Sequence, residues 1–195
     1  MKLSISRATP STLLAASLVT AGLLLSRSPA AAQTDLKFVI KPVAEKKLEL
    51  LPAGPLYWRV ENYPTVAQAK TAEGPASLAA EIAGRAWLLT LGEQGRSTPG
   101  GTKVAEIGPV PTPPAAPEYL LRVNNAGGSP GAATAVHTHP GSETFYVLSG
   151  ELSQRTPRGV MRIAAGQSMP GHAPGLPMEV SSSGASPIYS RIDAF

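Results

Sequence analysis

Residues 131–150 of this chain read GAATAVHTHPGSETFYVLSG, and this stretch is the strongest indication of both fold and function. His137 and His139 are two residues apart, so on an extended strand both imidazoles would leave the same face. A Pro-Gly pair at 140–141 then turns the chain, and Glu143 opens the next apolar run. Two imidazoles and one carboxylate on converging strands are the ligand set of a 2-His-1-carboxylate metal site with open positions.

The N-terminus has the three-part pattern of a secretory signal peptide. Lys2 and Arg7 give it a positive start, an apolar run follows at 13–25, and alanines at 30–32 supply small residues for cleavage. The apolar run is short for a membrane span and contains polar interruptions. We therefore expect residues 1–32 to be removed and the mature chain to be periplasmic or extracellular, without membrane insertion.

Removal of that segment changes the charge of the protein. The whole chain has 17 basic and 13 acidic residues, and three of the basic ones (Lys2, Arg7 and Arg27) lie in the signal segment. The mature chain keeps 14 basic and 13 acidic residues, a net charge of +1. Nucleic acid is therefore not an expected partner, because the electrostatic basis for binding it is absent. The chain has no cysteine, which excludes disulfides and any cysteine nucleophile or ligand.

The rest of the sequence is typical of one all-β domain. We interpret residues 33–50 as an N-terminal arm or an edge element and 51–195 as the main domain. A proline at its start and Gly-Pro at its end bracket a short helix at 64–73. Residues 78–91 could begin helical but end as a buried strand, and residues 124–131 read as a loop. Short strands between Gly and Pro residues predict a sandwich or barrel. Strands are expected at 56–60, 86–91, 102–107, 119–123, 143–152, 160–163, 178–182 and 188–192, besides the one bearing the histidines.

Residues 145–148 read Phe-Tyr-Val-Leu, which is apolar on both faces of a strand. Such a strand should be covered on one side by a second sheet and on the other by something outside it, for which a partner subunit is one candidate. On this ground we expect a homodimer.

The positions Gly131, His137, His139, Glu143 and Gly150 have the spacing G-x5-H-x-H-x3-E-x6-G. This spacing resembles the first sequence motif of the cupins at all five positions. The resemblance implies a double-stranded β-helix, a small jelly-roll barrel, here with a short N-terminal helix and arm. It also implies that His137, His139 and Glu143 bind a divalent metal (Fe, Mn, Ni, Cu or Zn) inside the barrel.

The second cupin motif, G-x5-P-x-G-x2-H-x3-N, is altered in residues 166–178. Strict spacing from Gly166 puts Pro177 where a further histidine belongs, and anchoring on Gly175 puts Met178 there. Neither side chain is a ligand for a hard metal, and methionine sulfur favours copper(I). Three outcomes stay open: a three-ligand site, a site completed by His172, or a cupin that binds metal poorly.

Three further residues have two interpretations each. His172 is either a solvated loop residue or a ligand or base in the pocket. Met178 is either a core residue or a thioether ligand. Arg122 alternates with two apolar neighbours, so it lies either on a solvated face or inside the barrel, where it could pair with an anionic substrate.

Two main functions follow from this pattern. The first is a metal-dependent enzyme, of oxygenase, isomerase or lyase type, acting on a small organic molecule. The alternative is a non-catalytic module that binds a small ligand or a metal through a degenerate site. A structural cupin without metal is a third reading, since fold alone does not choose among functions.

Overall fold

A computed structural model describes residues 36–194, with side chains except those of 189–192 and 194. The expected signal peptide lies outside these residues. The described chain forms one short helix and twelve strands, and no helix in it is long and apolar enough to cross a membrane. The elements are β1 Val39–Leu48, β2 Tyr57–Tyr63, α1 Val66–Thr71, β3 Ser77–Ile82, β4 Arg85–Gly92, β5 Thr102–Ile107, β6 Tyr119–Gly127, β7 Ser142–Ser149, β8 Glu151–Thr156, β9 Gly159–Ala164, β10 Ser168–Met169, β11 Glu179–Ser182 and β12 Ser186–Ala194.

Two of the sheets form the barrel. One has five strands in the order β1-β6-β12-β7-β10, and the other has three in the order β11-β8-β9. All of their strand pairs are antiparallel. Phe145 and Val147 of the larger sheet meet Leu152 and Val180 of the smaller one in a single buried cluster. The predicted all-β barrel of jelly-roll type is therefore confirmed.

A third sheet covers the outer side of the five-stranded sheet. Its order is β3-β4-β2-β5, so this N-terminal sheet consists of the four strands between β1 and β6. Trp58 and Leu89 of this sheet share the largest hydrophobic cluster with Leu121 and Val123 of β6. Burial of these side chains is the main stabilising contribution at this junction, since each fully buried large apolar side chain contributes about 1.5–3 kcal/mol.

Strand β7 is apolar on both faces because it lies between these two layers. Phe145 and Val147 belong to the barrel cluster, whereas Tyr146 and Leu148 pack against the cluster shared with the N-terminal sheet. The prediction of two-sided cover is confirmed, and the outer cover belongs to the same chain. The homodimer stays a prediction, and the apolar outer face of β7 no longer supports it, because this chain covers that face itself.

Helix α1 lies within the predicted range of 64–73. Thr65 is its N-cap, and the Thr65 hydroxyl accepts a hydrogen bond from the backbone N–H of Gln68 at 3.2 Å. The possible helical start at 78–91 is not formed, because β3 and β4 form a hairpin there, and the strand predicted at 86–91 lies within β4. Ala83 and Gly84 turn that hairpin with positive φ values of 53° and 67°, as a type I′ turn requires.

The expected single strand at 143–152 divides at Gly150 into β7 and β8. Gly150 has a φ of +70°, and a Cβ on it would overlap the carbonyl group of Gly184. Only glycine combines this backbone conformation with such a close approach. The turn at Gly150 directs the chain from the large barrel sheet into the small one.

Candidate functional site

The two histidines of the motif lie in an irregular segment beside β11. Isolated bridges join Ala133 to Ser181 and His137 to Met178. At the second bridge His137 N donates to Met178 O at 2.9 Å, and Met178 N donates to His137 O at 2.8 Å. The prediction of a regular strand bearing both histidines is wrong, because these separate bridges do not make a continuous ladder.

The two imidazoles nevertheless lie side by side. Their ring centroids are 4.8 Å apart at an interplanar angle of 76°, and Thr138 between them is exposed. His137 Nδ1 donates to the carbonyl oxygen of Ala135 at 2.8 Å. Since Nδ1 carries the proton, the neutral ring presents the lone pair of Nε2. Metal-binding histidines are oriented by a backbone carbonyl in this way.

Glu143 stands next to His139 at the start of β7. Its carboxylate is only 4% exposed, and Oε2 lies 3.4 Å from Nε2 of His139. That imidazole nitrogen is buried and makes no hydrogen bond within residues 36–194. Two ligand atoms bound to one tetrahedral zinc-like ion at 2.0–2.2 Å are also about 3.4 Å apart. The pair therefore fits a shared cation by donor type and by separation.

His137, His139 and Glu143 together have the donor types of a divalent metal site. Their side chains are not as close together as ligands bound to one ion. Among the residues that the structure describes, no group of three or more His, Cys, Asp or Glu side chains surrounds one point. The close pair is His139 with Glu143, and the ring of His137 lies beside it.

The loop between β10 and β11 brings the third histidine toward the same end of the barrel. Gly171 lies so close to the backbone of Glu143 that a Cβ would overlap its carbonyl oxygen. The next residue, His172, donates from Nε2 to Oε1 of Gln154. Burial, and then the positive charge of Arg158, lower the pKa of His172, while the charge of Glu143 opposes the shift. His172 is therefore a neutral imidazole at neutral pH.

Gln154 links His172 to Met178. The Gln154 amide nitrogen donates to the sulfur of Met178 at 3.0 Å, and both side chains are buried. The thioether thus packs in the core, as one of the two interpretations predicted. The only signal for Gln154 in the sequence is its position two residues after Leu152, on the same face of a strand. Which face of β8 is turned inward depends on the pairing of this strand with β9 and β11.

One register row of the five-stranded sheet contains a charged residue on each of four adjacent strands. Backbone register pairs Glu143 with Arg191, Arg191 with Arg122, and Arg122 with Glu45. Arg122 Nε donates to Glu45 Oε1 at 2.6 Å. Side-chain exposure rises along the row from 4% at Glu143 to 27% at Arg122 and 44% at Glu45. The row therefore leads from the barrel interior to solvent.

Asn124 follows Arg122 on the same side of β6. It is 1% exposed, and its Nδ2 makes no hydrogen bond to any described residue. A buried donor without a partner costs about 1–3 kcal/mol. The prediction of a loop at 124–131 missed this residue, because β6 continues to Gly127 between β1 and β12.

A cavity lies on another part of the protein, away from these residues. It has a volume of about 560 Å³ between α1 and the loop before β5, and Tyr63 and Pro99 are among its lining residues. No histidine or carboxylate lines this cavity. Its size is that of a ligand site, but the side chains with the chemistry of metal ligands lie at the barrel.

No protein-family model matches this chain, and no curated protein matches it. Solved structures match this chain over 38% of its length. A conserved protein of unknown function from Streptococcus pyogenes matches over 65% of its own length, at 20% identity and a TM-score of 0.35. A cupin superfamily protein from Desulfitobacterium hafniense matches over 68% of its length, at 8% identity and a TM-score of 0.35.

An RmlC-like cupin from Shewanella frigidimarina also matches 38% of this chain and 67% of its own, at 20% identity and a TM-score of 0.34. Two of these three structures are cupins by name. The fold itself is established by the sheet order and registers of this chain.

Proposed function

We propose that this protein binds a divalent metal ion through His137, His139 and Glu143 in its cupin-like barrel. The observation that carries the proposal is the buried contact of 3.4 Å between His139 Nε2 and Glu143 Oε2, with the oriented ring of His137 beside it. An imidazole nitrogen buried without a hydrogen bond is costly unless something else binds it. A cation between the nitrogen and the carboxylate removes that cost.

The protein residues would supply orientation and access. The Ala135 carbonyl holds the ring of His137, and the close contact of Gly171 fixes the backbone of Glu143. Three protein ligands leave coordination positions for water or a substrate, where a bound divalent metal supplies Lewis-acid chemistry. Iron, manganese, nickel, copper and zinc all suit imidazole and carboxylate ligands.

Two functions are compatible with such a metal site. A metal-dependent enzyme of oxygenase, isomerase or lyase type acting on a small organic molecule is supported by the open positions. A non-catalytic module for a small ligand or metal is supported by Met178, whose sulfur accepts a hydrogen bond from Gln154 where the second motif has a histidine.

Elemental analysis of purified protein, before and after incubation with each of the five metals, tests the metal proposal. His139→Ala and Glu143→Gln should each reduce bound metal at least tenfold. Thr138→Ala is the matched control, because this side chain is exposed between the two histidines. The proposal fails if the protein takes up none of these metals, or if both site variants keep full occupancy.

We also propose that the protein is exported and that it forms a homodimer. The signal-like N-terminus supports a periplasmic or extracellular location, and N-terminal sequencing of the mature protein should begin at residue 33. Light scattering at micromolar concentration measures the mass of the assembly. A monomeric mass would contradict the homodimer without affecting the metal site.

A further inference from the structure

We infer that the barrel takes a small organic carboxylate, and that Asn124 and Arg122 are the residues that select it. The inference deepens the proposed function and depends on it only for the position of the metal-bound end of the ligand. It rests on the two polar side chains of β6 that face the barrel beside the row from Glu143 to Glu45.

Asn124 supplies a buried donor that lacks an acceptor. It lies two residues along β6 from Arg122 and is much more buried, on the side of the sheet that carries Ala126 of the barrel cluster. An apolar ligand would leave the Nδ2 group unsatisfied, whereas an oxygen atom of a carboxylate would accept its hydrogen bond. An acceptor at this point would remove the cost of the buried amide.

Arg122 supplies positive charge between the exposed Glu45 and the buried end of the row. Of its guanidinium nitrogens only Nε makes a hydrogen bond within the described chain, to Glu45. The remaining nitrogens form a planar donor pair that suits a carboxylate. A carboxylate bound beside Asn124 would also accept hydrogen bonds from these nitrogens.

The choice of probe follows from the positions of the two ends of the site. Arg122 and Glu143 are separated by β12, which is two strand intervals, or about 10 Å between their backbones. A dicarboxylate offers one carboxylate to the metal-bound end and the other to Arg122 and Asn124. We therefore choose succinate as the probe and uncharged succinamide as its matched control.

Calorimetric titration with succinate tests the inference on the full-length mature protein, both metal-free and loaded with Mn²⁺. Asn124→Leu should weaken succinate binding at least tenfold while leaving Mn²⁺ affinity unchanged. Its melting temperature should stay the same or rise, because an apolar side chain of similar size replaces an unsatisfied amide. Asn125→Leu is the control, since this neighbour lies on the opposite face of β6, and it should bind succinate as the wild type does.

Arg122→Gln should weaken succinate binding severalfold and reduce its dependence on salt, while succinamide should bind poorly to every variant. Equal succinate affinity of the wild type and Asn124→Leu would overturn the inference, as would a Mn²⁺-loaded wild type that binds no succinate. If Mn²⁺ fails to bind while metal-free protein binds succinate through Asn124, the metal proposal fails and the carboxylate site stands.

Discussion

Gly171 packs directly against the backbone of Glu143, leaving no room for a Cβ between the β10–β11 loop and the start of β7. The contact joins a candidate metal ligand to the loop that carries His172. Because the obstacle is backbone carbonyl rather than a flexible side chain, a larger residue cannot be accommodated by a change of rotamer.

Gly171→Ala should therefore destabilise the protein by about 1–3 kcal/mol, the usual cost of overpacking. Urea unfolding measures the change in the free energy of unfolding. Gly92→Ala is the matched control, since a Cβ at Gly92 would have no heavy atom within 4 Å and its φ is not positive. Equal stability of the two variants would show that the close contact is absent in solution.

Metal binding should stabilise the folded protein if the donors act together. A metal present at 100 times its dissociation constant raises the free energy of unfolding by about 2.7 kcal/mol. Thermal unfolding with and without Mn²⁺ or Zn²⁺ measures this effect. His137→Ala should remove most of it, whereas Thr138→Ala should keep it. Full stabilisation in His137→Ala would exclude this histidine as a ligand.

The buried ion pair of β2 should show strong coupling in stability. Arg59 Nε lies 3.1 Å from Glu61 Oε2, and both side chains are nearly inaccessible to solvent. Arg59→Met leaves an uncompensated buried carboxylate and should cost about 3–5 kcal/mol. The double variant Arg59→Met/Glu61→Leu should recover much of that loss. Additive losses in a denaturation-based double-mutant cycle would argue against a coupled pair.

Tyr63 should make stability depend on alkaline pH. Burial, and then the charge of Glu61, raise the pKa of Tyr63 above its ordinary value of 10.0. The folded state therefore keeps a proton that the unfolded chain loses near pH 10. The stability contributed by Tyr63 is complete below that pH and is lost as the pH rises through the folded-state pKa.

Ultraviolet absorbance of tyrosinate, compared between wild type and Tyr63→Phe, reports this titration. The difference between the two proteins should titrate above pH 10, and Tyr63→Phe should lose less stability between pH 9 and 11. A difference titration at the ordinary pKa would contradict the burial of this hydroxyl, which donates to the carbonyl oxygen of Pro99 at 3.0 Å.

Local patterns in the sequence predicted much of the fold. The alternation at 102–107 matches β5, and the bracketed segment at 64–73 contains α1. The two-faced apolar run at 145–148 lies between two sheets. These features depend on side-chain periodicity and turn residues within a few positions of one another, so they can be read without knowledge of distant contacts.

By itself, the sequence determined the barrel class and the chemical types of the candidate ligands at 137, 139 and 143. Only the tertiary structure decided that Gln154 connects His172 with Met178, and that Asn124 lies buried in β6 rather than in a loop. The reason is register. The neighbours of Asn124 are Pro42 of β1 and Tyr189 of β12, and pairing across such distances depends on packing of the whole chain.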